Sequence, residues 1–258
     1  MSDFILDFWN SQADTHTTQH TASWGDIYAI NLEIQTIGQF ISENDAVLDV
    51  GCANGFSALQ HLDKKVKSIT GIDFSARMIE QAKNNLPKEP IDCEVSFRVG
   101  DVRHLEFEDE KFDTVYTTRT LINLPNWKEQ IQGIEECIRV CKTGGKVVFS
   151  EAFWEPLVLL NAIRALKSLP PLVEHDFNRY LKKSNLEEYF KSKGIEHEAI
   201  EFSSVYYLGS RFLRELATNP SDYPGYSNPI NEIFYKIEKE YSCEGFGIQQ
   251  AYVVYKRA

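Results

Sequence analysis

Two glycines and three aspartates define the chemistry open to this chain. Residues 47–55, Val-Leu-Asp-Val-Gly-Cys-Ala-Asn-Gly, are an apolar β-branched run that breaks at Gly51, and residues 56–62 resume with helical spacing. That order predicts a buried strand, a tight loop and a helix N-terminus. Glycine at 51 and 55 lets the backbone turn sharply and approach a bound molecule, and the free N–H groups opening the helix face that molecule. A glycine pair alone also serves loops built only for packing, so its meaning depends on the strands that come after it in the chain. Residues 67–73 read as a second strand ending in Asp73. Asp73 lies one strand–helix–strand unit beyond the glycine loop, the interval at which a carboxylate meets ribose hydroxyls in nucleotide-binding units. A third strand over 95–99 ends at Gly100, Asp101 and Val102.

The pieces resemble the class I S-adenosylmethionine-dependent methyltransferases. Residues 47–55 resemble the family's first motif, Gly71-Ile72-Asp73-Phe74-Ser75 with Met78 its second, and Gly100-Asp101-Val102 its adenine-contacting motif. Residues 112–124 resemble the fourth strand and the segment after it, and residues 140–149 the turn and fifth strand that come next. The likeness spans about residues 40–151 in the family's order. It implies an α/β, Rossmann-like sheet of seven mostly parallel strands in the order 3-2-1-4-5-7-6, with S-adenosyl-L-methionine bound where the order reverses. The implied cofactor residues are Asp49, Gly51, Cys52, Ala53, Asn54, Gly55, Asp73, Phe74, Met78, Gly100, Asp101, Val102 and Arg119. Among these, Asp73 would accept from both ribose hydroxyls, Asp101 would read the adenine amino group beside Phe74, and Arg119 would lie beneath the methionine part. One departure is visible: Ala53 stands where the family usually has the loop's middle glycine.

Bulk properties narrow the partners. Of 258 residues, 43% are hydrophobic and 25% charged, ordinary for a globular enzyme able to bury a sizeable core as one domain. With 27 Lys+Arg against 38 Asp+Glu and a net charge of −11, no nucleic-acid partner is expected, because phosphate binding needs a basic patch. The first nine residues carry Asp3 and Asp7 where a secretory signal needs positive charge, and no apolar run has spanning length, so a cytoplasmic enzyme without membrane contact is expected. Five cysteines (52, 93, 137, 141 and 243) lack the paired spacing of a structural zinc site, so no metal is assigned. Cys137 and Cys141 read as small core residues four apart on an amphipathic helix over 127–141.

Outside the motifs, three segments carry polar–aromatic clusters. Residues 1–40 read as a leading helical segment in which Trp24 and Tyr28 are candidates to line a substrate cavity, with core packing as the competing role. Residues 152–194 and 208–245 read as lid-like insertions. The first contains an apolar helix over 157–169, a Pro170-Pro171 break, the cluster His175, Asp176, Asn178, Arg179 and Tyr180, and a helix ending before Gly194. Residues 195–208 read as a long strand bearing Tyr206 and Tyr207, and residues 210–217 as a helix opening near Arg211. A loop over 218–229, an amphipathic helix over 230–241 and an alternating last strand over 249–256 complete the chain.

A methyl transfer from a sulfonium is an in-line displacement, so the protein's tasks are alignment and exclusion of water. A hydroxyl acceptor also needs a base, for which His175, Glu151 and Tyr180 are candidates. Trp24, Tyr28, His175, Tyr206, Tyr207 and Arg211 are candidate acceptor-site residues, with Arg211 positioned to meet a carboxylate or phosphate. The expected activity is methylation of an O or N on a small polar metabolite, with a sugar or sugar nucleotide in view. The second reading is another nucleotide-binding Rossmann-like protein, an oxidoreductase or a binder without catalysis. The absence of G-x-G-x-x-G at the loop, which a nicotinamide site would want, favours the first.

Overall fold

Val47, Leu48 and Val50 are fully buried, which is why the first motif forms a central strand: β-branched and apolar residues on both faces require cover on both sides. The computed structural model describes residues 3–218, 225–241 and 243–257. Its strands are β1 (Ala46–Val50), β2 (Ser68–Asp73), β3 (Glu94–Val99), β4 (Phe112–Thr118), β5 (Cys141–Ala152), β6 (His197–Glu201) and β7 (Gln249–Tyr255). They form one seven-stranded sheet in the order β3-β2-β1-β4-β5-β7-β6, the expected order. β1 pairs in parallel with β2 and β4, while β7 runs antiparallel to both β5 and β6.

The helices are α1 (Asp3–His16), α2 (Ile27–Gly38), α3 (Phe56–Leu59), α4 (Ala76–Asn84), α5 (Trp127–Val140), α6 (Trp154–Ala165), α7 (Lys183–Lys193), α8 (Ser204–Leu208), α9 (Arg214–Ala217) and α10 (Ile230–Glu240). Alternate side chains of each strand feed two cores. Val47, Tyr116, Val148 and Val253 meet α2, α4, α6 and α8 through residues such as Leu32, Ile79, Leu160 and Tyr206. On the other face Leu48, Val115, Phe149 and Tyr252 meet Ile134 of α5 and Phe190 of α7. Each such side chain taken from water contributes about 1.5–3 kcal/mol, enough in sum to hold the strand ends in place.

Local signals fix the helix ends beside the sheet's carboxyl edge. Ser75 Oγ accepts from Met78 N at 3.1 Å and starts α4, while Asp26 accepts from Ala29 N at 3.2 Å and starts α2. Gly194, at φ 64°, ends α7 as expected.

Three expectations fail in detail. The strand expected over 195–208 stops at Glu201, because Glu201 accepts from Ser204 Oγ and Gly245 N and turns the chain into α8. Tyr206 and Tyr207 are therefore successive helical residues, not opposite faces of a strand. The helix expected over 210–217 begins as a π-helical turn, Gly209–Leu213, before α9. Cys141 starts β5 instead of closing α5, and all five cysteines are free. Of the loop expected over 218–229, residues 219–224 lie outside the described residues.

Candidate active site

Two cavities lie side by side at the carboxyl ends of β1, β2 and β4, the position that the reversal of strand order opens in such sheets. The first encloses about 750 Å³ counted out to its open mouth. It is lined by the glycine loop from Gly51 to Asn54, by Asp73 and Phe74, by Gly100 and Val102, and by Arg119 and Asn123. Gly51 and Gly55 have φ of 83° and 75°, so both glycines are required by conformation. A Cβ on Gly51 would also meet Thr120 Oγ1 at 2.0 Å. Ala53, the departure from the family pattern, adopts φ 46°, a left-handed conformation that costs an alanine about 1–2 kcal/mol.

Asp73 is the most informative side chain in this cavity. Its carboxylate accepts from Ala53 N at 3.0 Å and Ser75 N at 2.8 Å, which aims it across the mouth of the loop. Burial pushes its pKa up to about 6 against the opposing pull of those two N–H donors. A buried carboxylate facing open space beside a left-handed loop fits a ribose diol, whose two hydroxyls would supply further donors. The residues present thus fit an adenosyl cofactor.

Several residues expected to contact it do not line the cavity. Asp49 is sealed beneath the loop, where its carboxylate faces the Tyr116 hydroxyl without closing a normal hydrogen bond, and burial raises its pKa to about 8. Gly55 packs on Phe97 and Ala82, and Met78 is buried against Ala13 and Ala22. Asp101, expected at the adenine amino group, turns away. Arg103 donates to it from its backbone N and Nε, both at 2.9 Å, while Arg103 Nη1 pairs with Glu129 at 2.6 Å. Cys52 lines the cavity as a buried thiol whose pKa burial drives well up, so it is no nucleophile.

The second cavity is larger, about 1290 Å³ on the same measure, and its wall carries a cluster of aromatic rings among apolar and polar residues. Phe8, Trp9 and Trp24 come from the leading segment, His175, Phe177 and Tyr180 from residues 152–194, and Tyr207, Arg211 and Tyr226 from the later segments. Trp9, Ser23, Arg119 and Asn123 belong to the walls of both cavities. Arg119 follows β4 at φ 55°, pairs with the fully buried Glu33 at 3.3 Å and stacks 4.9 Å above Trp24. Glu33 in turn accepts from Ser150 Oγ at 2.8 Å.

Arg211 lines this cavity but is not free to meet an anion: it forms a buried ion pair with Asp26 and donates to Ser210 Oγ at 2.9 Å. Tyr206, expected in the acceptor site, lies behind that wall and donates to Asp26 at 2.5 Å. Tyr28 also falls outside it, with its ring 5.3 Å from Tyr235. Glu151 fails as a base because it is enclosed and saturated. Thr117 Oγ1 donates to it at 2.7 Å, as do the N–H groups of Thr120, Leu121 and Ile122, and burial lifts its pKa to about 7. Tyr180 lines the cavity, but burial pushes its pKa up to about 12, away from service as a base near neutrality.

The comparisons with known proteins agree with this geometry. A family model described as a methyltransferase domain matches residues 47–145, the segment that carries the glycine loop, Asp73, Asp101 and Arg119. The chain is a class I S-adenosylmethionine-dependent methyltransferase. It is similar to the ubiquinone biosynthesis O-methyltransferase of Coxiella burnetii, at 25% identity over 80% of this chain and 83% of that protein. It is also similar to the 27-O-demethylrifamycin SV methyltransferase of Amycolatopsis mediterranei, at 26% identity over 63% of this chain and 58% of that one. Among solved structures, one from the complex of the Haloferax volcanii Trm112 methyltransferase activator with a putative methyltransferase shares the fold. It covers 98% of each chain at a TM-score of 0.61 and 17% identity. A geranyl diphosphate C-methyltransferase from Streptomyces coelicolor, solved with S-adenosyl-L-homocysteine, covers 87% of this chain and 77% of its own, at TM-score 0.55 and 13% identity. The cofactor of the methyltransferase described here is S-adenosyl-L-methionine.

Sequence reasoning missed Trp9, Ser23, Asn123 and Phe177. The signal for Phe177 was present as an aromatic in the polar stretch 174–179, whereas Trp9 ends the mostly apolar run 4–9 and reads as helix packing. Asn123 had none, because only the turn after β4 brings it between the cavities.

Proposed function

We propose that this methyltransferase moves the methyl group to an oxygen or nitrogen of a small molecule held in the second cavity, with the cofactor in the first. The observation that carries this reading is the shared wall of Trp9, Ser23, Arg119 and Asn123, which lets two bound molecules touch without exposing their contact to bulk water. Bound in the first cavity, S-adenosylmethionine supplies an electrophilic methyl on a sulfonium. Asp73 would hold the ribose, the glycine loop would admit the backbone approach, and Arg119, paired with Glu33, would stand at the shared wall. His175 is the base for a hydroxyl acceptor, since its imidazole lines the second cavity and has no hydrogen-bond partner among the described residues. It receives the proton that the acceptor gives up as the new C–O bond replaces the C–S bond, whose electron pair stays on sulfur.

The leading segment and residues 152–194 and 208–245 act together as the lid over that cavity. A sugar or sugar nucleotide is a poorer fit than a flat ring. Ser203, Ser204 and Ser210, the hydroxyls beside Tyr206 and Tyr207 in the chain, are spent on Gln249 O, Glu201 and Tyr206 O, to which they donate at 2.6–2.8 Å. The named O-methylation of the Coxiella and Amycolatopsis relatives supports an oxygen acceptor. The test is a screen of aromatic alcohols and amines with methyl-labelled S-adenosylmethionine, repeated on Leu172→Trp, which puts a larger ring into the wall of the second cavity and narrows it. Transfer that survives Leu172→Trp unchanged would place the acceptor elsewhere.

A further inference from the structure

We infer that the acceptor is a neutral, flat molecule carrying O–H or N–H donors, and that Asn123 holds the donor nearest the cofactor. This rests on the second cavity being the acceptor site. The groups that the wall leaves unsatisfied define the ligand. Its two cations are already neutralised, Arg119 by Glu33 and Arg211 by Asp26, so an anionic ligand would meet a carboxylate behind each guanidinium. Among the described residues, its buried polar side-chain atoms without partners are Asn123 Oδ1, Gln249 Oε1, Thr21 Oγ1, Trp9 Nε1 and the Nε of Arg119.

Three of these five can accept a hydrogen bond, whereas Trp9 Nε1 and Arg119 Nε only donate. The orientation of the Asn123 amide is fixed, because its Nδ2 donates to Arg119 O at 2.7 Å. Oδ1 is therefore an acceptor in fact, on a side chain only 7% exposed and in the wall that the two cavities share. A buried acceptor without a partner is costly, and a site of this kind selects the ligand that satisfies it. Trp9 Nε1, on the same shared wall, would donate to an oxygen lone pair of that hydroxyl or of its neighbour. The rings of Phe8, Trp24, Phe177 and Tyr207 supply the faces between which a flat molecule lies. Asn123 is thus a positioning residue: it orients the nucleophile and takes no proton.

Three probes of one shape separate the possibilities by calorimetry on the full chain saturated with S-adenosylhomocysteine: 2-naphthol, which has a donor, 2-methoxynaphthalene, which has none, and 2-naphthoate, which is an anion. Wild type should bind 2-naphthol about fivefold or more tightly than either of the others, the usual effect of one satisfied buried hydrogen bond. In Asn123→Leu the preference over 2-methoxynaphthalene should fall to within about twofold. Equal affinity of wild type for 2-naphthol and 2-methoxynaphthalene overturns the inference, and this arm needs no variant to fold. A preference that survives in Asn123→Leu, or a loss confined to S-adenosylhomocysteine, overturns the role of Asn123. Binding of 2-naphthol that ignores Leu172→Trp would instead show that the second cavity is not the acceptor site. Exclusion by Leu172→Trp with all three probes bound alike in wild type leaves that reading standing and removes only this one.

Discussion

Lowering the pH from about 7.5 to about 5.5 should weaken S-adenosylhomocysteine binding about fourfold through one carboxyl group. Asp73 is proposed to accept from the two ribose hydroxyls, and only its ionised form has acceptor capacity for both. Burial, partly opposed by the N–H groups of Ser75 and Ala53, leaves its pKa at about 6 in the free protein. About a quarter of the molecules are then competent at pH 5.5 and nearly all at pH 7.5. The apparent dissociation constant scales as the inverse of that fraction, a loss of about 0.8 kcal/mol. The titration should stop near pH 5.5, because a chain of net charge −11 approaches its isoelectric point below that. The assay is calorimetry at constant ionic strength across this range, on wild type and on Asp73→Asn. Asp49 and Glu151 titrate nearby at about 8 and 7, but the Asn substitution isolates Asp73 from them. The reasoning is refuted by a flat wild-type profile, or by an equal slope in Asp73→Asn.

Four further outcomes are expected from the same geometry. Ala53→Gly should stabilise the protein by about 1 kcal/mol, read as a rise of about 3 °C in Tm, because glycine has no penalty at φ 46°; an unchanged or lower Tm counts against strain there. Asp49 has its folded pKa raised by burial, so its stabilising effect is present when it is protonated and is lost as pH climbs from about 4 towards 8. Wild type should thus lose up to about 3 kcal/mol more than Asp49→Asn between pH 5.5 and 8 in denaturant titrations, and parallel curves would dismiss the idea. Glu33→Ala strands Arg119 without its buried partner and should cost about 3–5 kcal/mol, whereas a midpoint shift worth less than about 1 kcal/mol would show the pair to be idle. His175→Gln should lower kcat while S-adenosylhomocysteine affinity stays within about twofold; an unchanged kcat would disqualify it as the base.

The sheet was legible because β1, β2 and β3 each close on a glycine or an acid, and the strand intervals match one known order. Asp73 was legible for the same reason, since its place one unit beyond the glycine loop results from chain geometry. Asp101 stood at the expected strand end, but whether a carboxylate faces a cleft or a neighbour is decided by side-chain partners. Arg103, two residues on, has no motif to announce it. Tyr206, Tyr207 and Arg211 were recognised as an unusual cluster, yet their roles depend on Asp26, some 180 residues earlier, which pairs with two of them. Long-range pairs of this kind leave no periodic trace. The boundary between β6 and α8 was missed because Ser and Tyr suit strand and helix alike, and the side chain of Glu201 settles the turn.

The insertion of β7 between β5 and β6 imposes an order of events on a chain emerging from the ribosome. β6 pairs only with β7, and Gln249 and Ile248 at the entry of β7 belong to the wall of the second cavity. The glycine loop, Asp73 and β4 are all synthesised by residue 118, so the half that takes the methyl donor can begin to assemble while more than a hundred residues remain untranslated. The second cavity lacks Ile248 and Gln249 in its wall until β7 takes its place in the sheet. The pocket lined by the glycine loop and Asp73 can thus take shape well before β7 completes the wall of the second cavity.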